Sequence, residues 1–228
     1  MMAAEKWQET IAHNLANAST TGFKREILAF DEGFLRKMVS AEGKTIGELG
    51  AGPVLAGSQL DLEVGAALTT GNPLDVAIRT RDGMFAVESP LGTKYTRDGS
   101  FTLNSNREIV TKLGMPILDD RGSRIQIPAD KTPRINDKGE VVAGDEVVGK
   151  LGVFQGKFVR WDNGLFDAGN PTAMENVTLI SGAVESSNVN AVEEMINMIK
   201  LNRAFEMAQK SASSQDESTE KLIQSASR

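Results

Sequence analysis

The sequence contains no cysteine and a single histidine, His13. The first absence excludes disulfides, thiolate nucleophiles, Cys-based zinc sites and iron–sulfur clusters. The second excludes two-His zinc motifs and leaves His13 as the one base a Ser–His–Asp triad could use. Aromatic residues make up only 5% of the chain, so the mass that usually fills a large globular core is light. No apolar run approaches the ~18 residues that span a bilayer, so membrane insertion is not expected. The start, Met1-Met2-Ala3-Ala4-Glu5-Lys6-Trp7, has neither the apolar block nor the cleavage site of a secretory signal. On those grounds the default compartment is the cytoplasm, unless the chain leaves by a route that reads no cleaved peptide. Acidic residues number 31 against 25 Lys and Arg, for a formal net charge of −6. Such a chain is a poor candidate for tracking nucleic-acid phosphates, which calls for a clustered basic footprint.

What is present is a chain of 228 residues, of which 40% are hydrophobic and 25% charged. That length supports one sizeable core, or a core plus an appended element. Residues 3–18 read as a helix, with Ala4, Trp7, Ile11, Leu15 and Ala18 at three- and four-residue spacing and Asn14 on the same seam. Thr20, Thr21 and Gly22 end it in a turn. From Phe23 to about Thr70 the pattern is mixed. The succession Gly43, Gly47, Gly50, Gly52, Pro53 and Gly57 reads as an adaptable or disordered connector.

Residues 60–180 read as β. Asp98-Gly99, Asn104-Ser105-Asn106, Asp119-Asp120-Arg121-Gly122, Asn136-Asp137-Lys138-Gly139 and Asp162-Asn163-Gly164 are turn signals. Strands are expected between them at Met84–Glu88, Ser100–Leu103, Arg124–Ile127, Glu140–Val142 and Lys150–Phe154. Asp98-Gly99 is expected to be a hairpin turn. Short strands joined by turns, with no helix between them, favour antiparallel pairing.

The segment 188–226 carries the longest helical pattern, opened by Asn190 and Glu193 in a capping-box spacing. One apolar stripe is Val192, Met195, Ile196 and Ile199. A second is Met198, Leu201, Phe205 and Ala208, continuing through Ala212, Gln215, Thr219, Leu222 and Ala226 in heptad register. At ~100° per residue the stripes lie on opposite sides, so both sides of the helix are expected to be covered. The fold class is therefore α+β: a mostly antiparallel β centre flanked by N- and C-terminal helices that pair as a discontinuous, coiled-coil-like domain. The expected division is 1–22 with 183–228 as the helical domain, 23–69 as connector and 70–182 as the β-rich domain.

Chemistry is weakly signalled. His13 has no partner His or Cys, so a polar interface residue outweighs a general base or metal ligand. Asp119-Asp120 and the pair Asp61/Glu63 could bind a cation or act as acid and base, but an acidic chain has many solvated carboxylates. Met195, Met198 and Met207 read as packing, Trp161 as a core or rim residue of the β domain. Arg97 and Arg203 suit ion pairs, local or between subunits. No cofactor, metal or catalytic residue is expected.

Motifs then carry a resemblance. Ile11-Ala12-His13-Asn14-Leu15-Ala16-Asn17-Ala18-Ser19-Thr20-Thr21-Gly22-Phe23-Lys24 resembles the N-terminal signature of the flagellar basal-body rod and hook proteins, with His13 where that family usually has Asn. Thr70-Gly71-Asn72-Pro73-Leu74-Asp75-Val76-Ala77-Ile78, Tyr95-Thr96-Arg97-Asp98-Gly99-Ser100-Phe101, and the run through Gly182, Glu185, Ser187-Asn188-Val189-Asn190, Glu194-Met195, Met198-Ile199, Arg203 and Phe205-Glu206 resemble its later motifs, in the family's order. After Ile78 the turn Arg79-Thr80-Arg81-Asp82-Gly83 is one residue longer than the family's. The family pattern usually starts several residues before Met2, which implies an inner helix short of its first turn. The connector before residue 70 is short for a distal-rod or hook subunit and leans towards the proximal-rod type.

The resemblance implies a structural, non-enzymatic subunit of the flagellar rod that builds an axial tube and transmits torque. It implies copies of itself, other axial proteins and the flagellar type III export apparatus as partners. It also implies a place in the periplasm-spanning rod, reached without a cleaved signal. The expected subunit-interface residues are Trp7, Ile11, Asn14, Leu15, Asn17, Gly22, Phe23, Ser187, Asn188, Val189, Val192, Met195, Met198, Ile199, Leu201, Arg203 and Phe205. Two other classes compete. A secreted carbohydrate-binding or adhesive β domain would need exposed aromatics along a groove, and a wall-cleaving hydrolase would need two convergent carboxylates.

Overall fold

The computed structural model describes residues 2–31, 35–39, 45–50, 54–162, 164–175 and 177–226. It is α+β, with a helix towards each end of the chain and antiparallel strands between them. Two compact units emerge. One comprises residues 1–16, 30–56 and 190–228; the other comprises 17–29 and 57–189.

In the first unit, α1 (Met2–Ala16) and α2 (Ala191–Ala226) are the helices. α2 starts where the capping spacing predicts. The Asn190 side-chain oxygen accepts from the N–H of Val192 (3.1 Å) and of Glu193 (3.3 Å), satisfying donors that the first turn leaves open. The segment read as a connector carries strands β1 (Glu26–Asp31), β2 (Leu35–Val39), β3 (Thr45–Gly50) and β4 (Val54–Leu60). β1 pairs with β4, and β2 with β3. Gly43, Gly52 and Pro53 lie outside the described residues, as do the side chains of Ala4, Ala212, Gln215, Thr219, Leu222 and Ala226.

The β-rich unit continues with β5 (Ala67–Thr69), β6 (Val76–Ile78), β7 (Gly83–Ser89), β8 (Gly92–Thr96), β9 (Phe101–Leu103) and β10 (Ile109–Thr111). There follow β11 (Pro133–Ile135), β12 (Glu140–Ala143), β13 (Glu146–Lys150), β14 (Val153–Arg160), β15 (Leu165–Ala173), β16 (Leu179–Ser181) and β17 (Ala183–Glu185). β7, β8, β15 and β14 pair in a closed ring, and β11, β12 and β13 form a three-stranded sheet. β16 pairs with β6, and β17 with β5, so the last strands return to the first of this unit.

β6, β7 and β10 are buried on both faces, and the main core gathers around Val76, Ile78, Phe85, Phe101, Ile109, Ile117 and Val141. Phe85 and Phe101 meet edge-on at 5.1 Å. A smaller cluster holds Met84, Tyr95, Phe158 and Phe166.

One loop chemistry recurs. The side-chain oxygens of Asn104, Asp119 and Asn136 each accept from backbone N–H groups two and four residues on, at 2.7–3.0 Å. The fourth residue of each loop has positive φ: Arg107 (59°), Gly122 (80°) and Gly139 (80°). These loops turn the chain back on itself as expected.

Three expectations differ. Asp98-Gly99 is a corner and not a hairpin, since β8 pairs with β7 while β9 pairs with β10. Gly99 is required there because its carbonyl accepts from Val76 N–H at 3.0 Å and an added Cβ would strike Val76 O at 1.7 Å. The expected strand 150–154 breaks between β13 and β14, where a Cβ on Gly152 would lie 2.4 Å from Asp119 O. Arg124–Ile127 makes only isolated bridges, to Leu118 and Glu108.

Candidate subunit interface

The chain segments that lead to the helices are built into the β-rich unit by a buried ionic cluster. Gly22, at φ 68°, turns the chain after α1, and its N–H donates to Glu185 O at 2.8 Å. A Cβ there would lie 2.4 Å from Asp98 N, so only glycine fits. Phe23 is buried beneath the Arg160 guanidinium, 4.6 Å from its ring centroid. The Lys24 ammonium donates to Glu185 Oε1 (2.6 Å) and to Glu63 O (2.5 Å). Glu185 Oε2 accepts from Arg97 Nε at 2.6 Å, and Oε1 also accepts from Gly65 N–H at 2.9 Å.

Lys24, Arg97 and Glu185 are each at most 1% exposed. The cluster therefore holds two cations and one anion out of water, and burial holds the Lys24 pKa below the usual lysine value. Arg97 completes its donors with the carbonyls of Ile78 (2.9 Å), Arg81 (3.3 Å) and Gly83. Its ion pair is thus local to the chain.

Asn188 adds a second staple. Its oxygen accepts from Arg25 N–H (2.7 Å) and its amide donates to Asp61 O (2.9 Å) and Glu63 O (3.2 Å). Ser187 Oγ accepts from Val189 N–H at 3.2 Å, and Asn17 Oδ1 accepts from Thr20 Oγ1 at 3.2 Å. Ser187, Asn188, Val189 and Asn17 are half-buried.

The helices present a different surface. In α1, Ile11 and Asn14 are buried, Leu15 and His13 half-buried, and Trp7 exposed. Asn14 Nδ2 donates to Glu194 Oε1 at 3.4 Å, and both residues are 2% exposed, so this polar pair sits on the side where α1 meets α2. In α2, Leu201 is 6% exposed, and Met198 and Phe205 are half-buried beside it. The other stripe is in water: Val192, Met195, Ile196 and Ile199 are 62%, 46%, 45% and 52% exposed. Arg203 is exposed as well. The two stripes thus differ in burial.

The competing chemistries find no arrangement to use among the described residues. Asp61 Oδ1 accepts from Glu63 N–H at 3.0 Å, and Asp119 is committed to its own loop. No group of three or more His, Asp or Glu that could hold a metal occurs among the described residues. Trp161 lies at the rim, half exposed, with the Lys94 ammonium 4.1 Å from its ring centroid. The other exposed aromatic among the described residues, Trp7, belongs to the other unit. Among the described residues, that leaves no aromatic groove of the kind an adhesive domain needs.

Lys24 and Glu185 were absent from the expected site. Each stands in one of the motifs, Lys24 after Gly22 and Glu185 after Gly182, but with polar as well as apolar neighbours nothing local marks it as buried.

Comparison with known proteins agrees with the motifs. Residues 1–24 match the family of flagella basal body rod proteins, and 77–143 match the D1 domain of the flagellar hook protein FlgE/F/G. Residues 180–225 match the C-terminal region of flagellar basal body rod FlgEFG proteins. The flagellar basal-body rod protein FlgF of Mesorhizobium japonicum is 37% identical over 97% of this chain and 93% of its own length. FlgF of Rhizobium meliloti is 31% identical over 90% of this chain and 85% of its own. The rod protein FlgG of Buchnera aphidicola from Acyrthosiphon pisum is 33% identical over 94% and 92%. With relatives of that identity running nearly end to end, and with the motif residues engaged in the contacts described above, the chain belongs to the flagellar basal-body rod protein family and is a structural, non-enzymatic component of the basal body.

Proposed function

We propose that the chain is an axial subunit of the periplasm-spanning rod, whose helices join copies of itself and other axial proteins into a tube that transmits torque. The observation that carries this is the exposed stripe Val192, Met195, Ile196 and Ile199 on the side of α2 opposite Leu201. Covering such a stripe gains ~25 cal/mol per Å² of apolar surface removed from water. Copies related by a screw operation make heterologous contacts, which extend as an open filament. In this reading 1–22 and 183–228 act together as the axial core, paired in coiled-coil fashion, with 70–182 outside it and 23–69 between.

Export would use the flagellar type III apparatus without a cleaved signal, and a thiol-free chain suits passage into an oxidising compartment. The short connector supports the proximal-rod type. The expected interface residues, from Trp7 to Phe23 and from Ser187 to Phe205, divide into those that set the arms, those such as Ile11, Asn14 and Leu201 that are buried within the chain's own helical unit, and those that would meet a neighbour. The exposed stripe and Arg203 belong to the last group.

The test is Ile196→Asp with Ile199→Asp in a strain lacking the chromosomal copy. The purified chain should unfold at the same denaturant concentration as the parent, while swarming is lost and isolated basal bodies lack this subunit. Normal motility from that variant would overturn the reading.

A further inference from the structure

The arms leading to the helices meet in a particular geometry. Gly22 is bonded to Glu185, Lys24 to Glu185, and Arg25 to Asn188. The Arg25–Asn188 pair is separated by 163 positions, and the Gly22–Glu185 pair has the same offset. The two arms therefore run side by side in the same direction. α1 precedes one arm and α2 follows the other. Once the packing of α1 on α2 has parted, tension enters one arm at its N-terminal end and the other at its C-terminal end; these are opposite ends of the pair, so the arms are pulled in opposite senses along their common axis. Bonds arranged this way are sheared together and share the load, whereas an antiparallel pair would be opened one bond at a time.

Those bonds also close a loop of chain that contains every strand from β1 to β17. Tension at the helices meets the clasp before it reaches the β core. The clasp is seated in that core by Arg97, which binds Glu185 on one side and the carbonyls of Ile78, Arg81 and Gly83 on the other. Its bonds to Glu185 are charge-assisted and shielded from water, the condition in which hydrogen bonds resist exchange with solvent.

We infer that the Gly22–Arg25 and Glu185–Asn188 arms form a shear clamp, which carries load between the two helices and keeps the β core free of tension until it opens. The inference rests on the axial-subunit reading only for the origin of the load. Its test uses the single full-length chain, so a motility result and a clamp result stand independently.

Because the chain has no cysteine, handles can be attached uniquely at Glu5→Cys and Ser211→Cys, outside the arms, for optical-tweezers pulling at constant force. A second attachment pair, Leu91→Cys and Lys138→Cys, uses exposed loops within the β-rich unit and bypasses the arms. Lys24→Met removes one cation and leaves Arg97 and Glu185 as a balanced pair; Gly22→Ala lifts the arm by steric conflict with no change of charge. Along the terminal axis, either variant should shorten the lifetime of the β-rich unit at fixed force by at least about tenfold, the scale of one lost hydrogen bond to a charged group. Along the loop axis the lifetime should not change. Equal lifetimes along the terminal axis would overturn the clamp. So would an equal loss along both axes, because the arms would then contribute only general stability.

Discussion

Phe85 and Ile199 are both large apolar side chains, and the molecule treats them oppositely. Phe85 is fully buried in the β-rich unit, with Phe101 edge-on against it, while Ile199 stands half exposed on α2. The difference extends to the units around them. The β-rich unit gathers most of its apolar strand residues into two cores and ties Lys24 and Arg97 to Glu185 within a single chain, while Leu68, Val147 and Val159 stand exposed on separate strands. The helical unit buries Ile11 and Leu201 and leaves an entire stripe of α2 wet. A protein that functions alone has little reason to keep such a stripe, whereas a subunit that is finished by its neighbours needs one. On the axial-subunit reading, the contrast separates a part that folds within one chain from a part that neighbours would complete.

The sharpest way to break the contrast is to treat the two units alike. Phe85→Ala should cost about 3–5 kcal/mol, because it empties a site that edge-on packing cannot refill. Urea unfolding followed by the β signal of circular dichroism reads that loss directly. A loss below about 1 kcal/mol would mean the β core adapts like a loosely packed interface.

Asn190→Ala probes the join of cap and helix. It removes the acceptor for Val192 and Glu193 N–H at the start of α2. The expected cost is about 1 kcal/mol of helix stability, visible as lower helical ellipticity with the β-core midpoint unchanged. If the β midpoint moved with it, the units would not be the separable bodies that the contrast requires.

Acid titration probes a tie that lies wholly within the β-rich unit. Ser181 donates to Asp137 from its N–H (3.0 Å) and its hydroxyl (2.7 Å), which holds the Asp137 carboxyl below the usual carboxylate value of 3.8. A carboxyl whose folded pKa is depressed adds stability above its unfolded pKa and loses it as pH falls through the folded value. The tie between the β11–β12 loop and β16 should therefore weaken below about pH 4. In Asp137→Asn the difference between the unfolding midpoints at pH 7 and pH 3 should shrink. An unaltered difference would mean that other carboxylates account for the acid response.

Sequence made some of this visible and some not, for reasons of distance along the chain. The helices, the cap at Asn190 and the turn loops at Asn104, Asp119 and Asn136 depend on residues within four positions of one another. Local pattern therefore carries them. Asp98-Gly99 has the composition of a hairpin, yet Gly99 exists for Val76, which is distant in sequence and close in space. The Lys24–Glu185–Arg97 cluster has the same character. Each member is an ordinary charged residue in its own motif, and only the return of β17 to β5 brings the three together. On α2 the two apolar stripes were legible but equivalent. What distinguishes them is Glu194, a carboxylate on the Leu201 side that is buried against Asn14. Periodicity scores such a residue as polar and therefore as solvent-facing.

The smallest expected effect carries the most direct statement about assembly. Ile199→Ala removes apolar atoms that are already half in water, so the isolated chain should change by no more than about 0.5 kcal/mol. The same truncation within an assembled tube would remove buried contact from every copy. A cost too small to detect in one subunit is repeated at each interface along the filament, and together these costs act on the equilibrium between free and incorporated protein. Motility in soft agar should therefore fall while the melting temperature of the purified chain stays where it was. A fall in melting temperature equal to that of a core truncation would place Ile199 in the chain's own packing, and the difference between the two units would disappear. No change in either measurement would show that this part of the stripe faces solvent in the assembled structure as well, and the contact would then belong to Val192, Met195 and Ile196 nearer the start of α2.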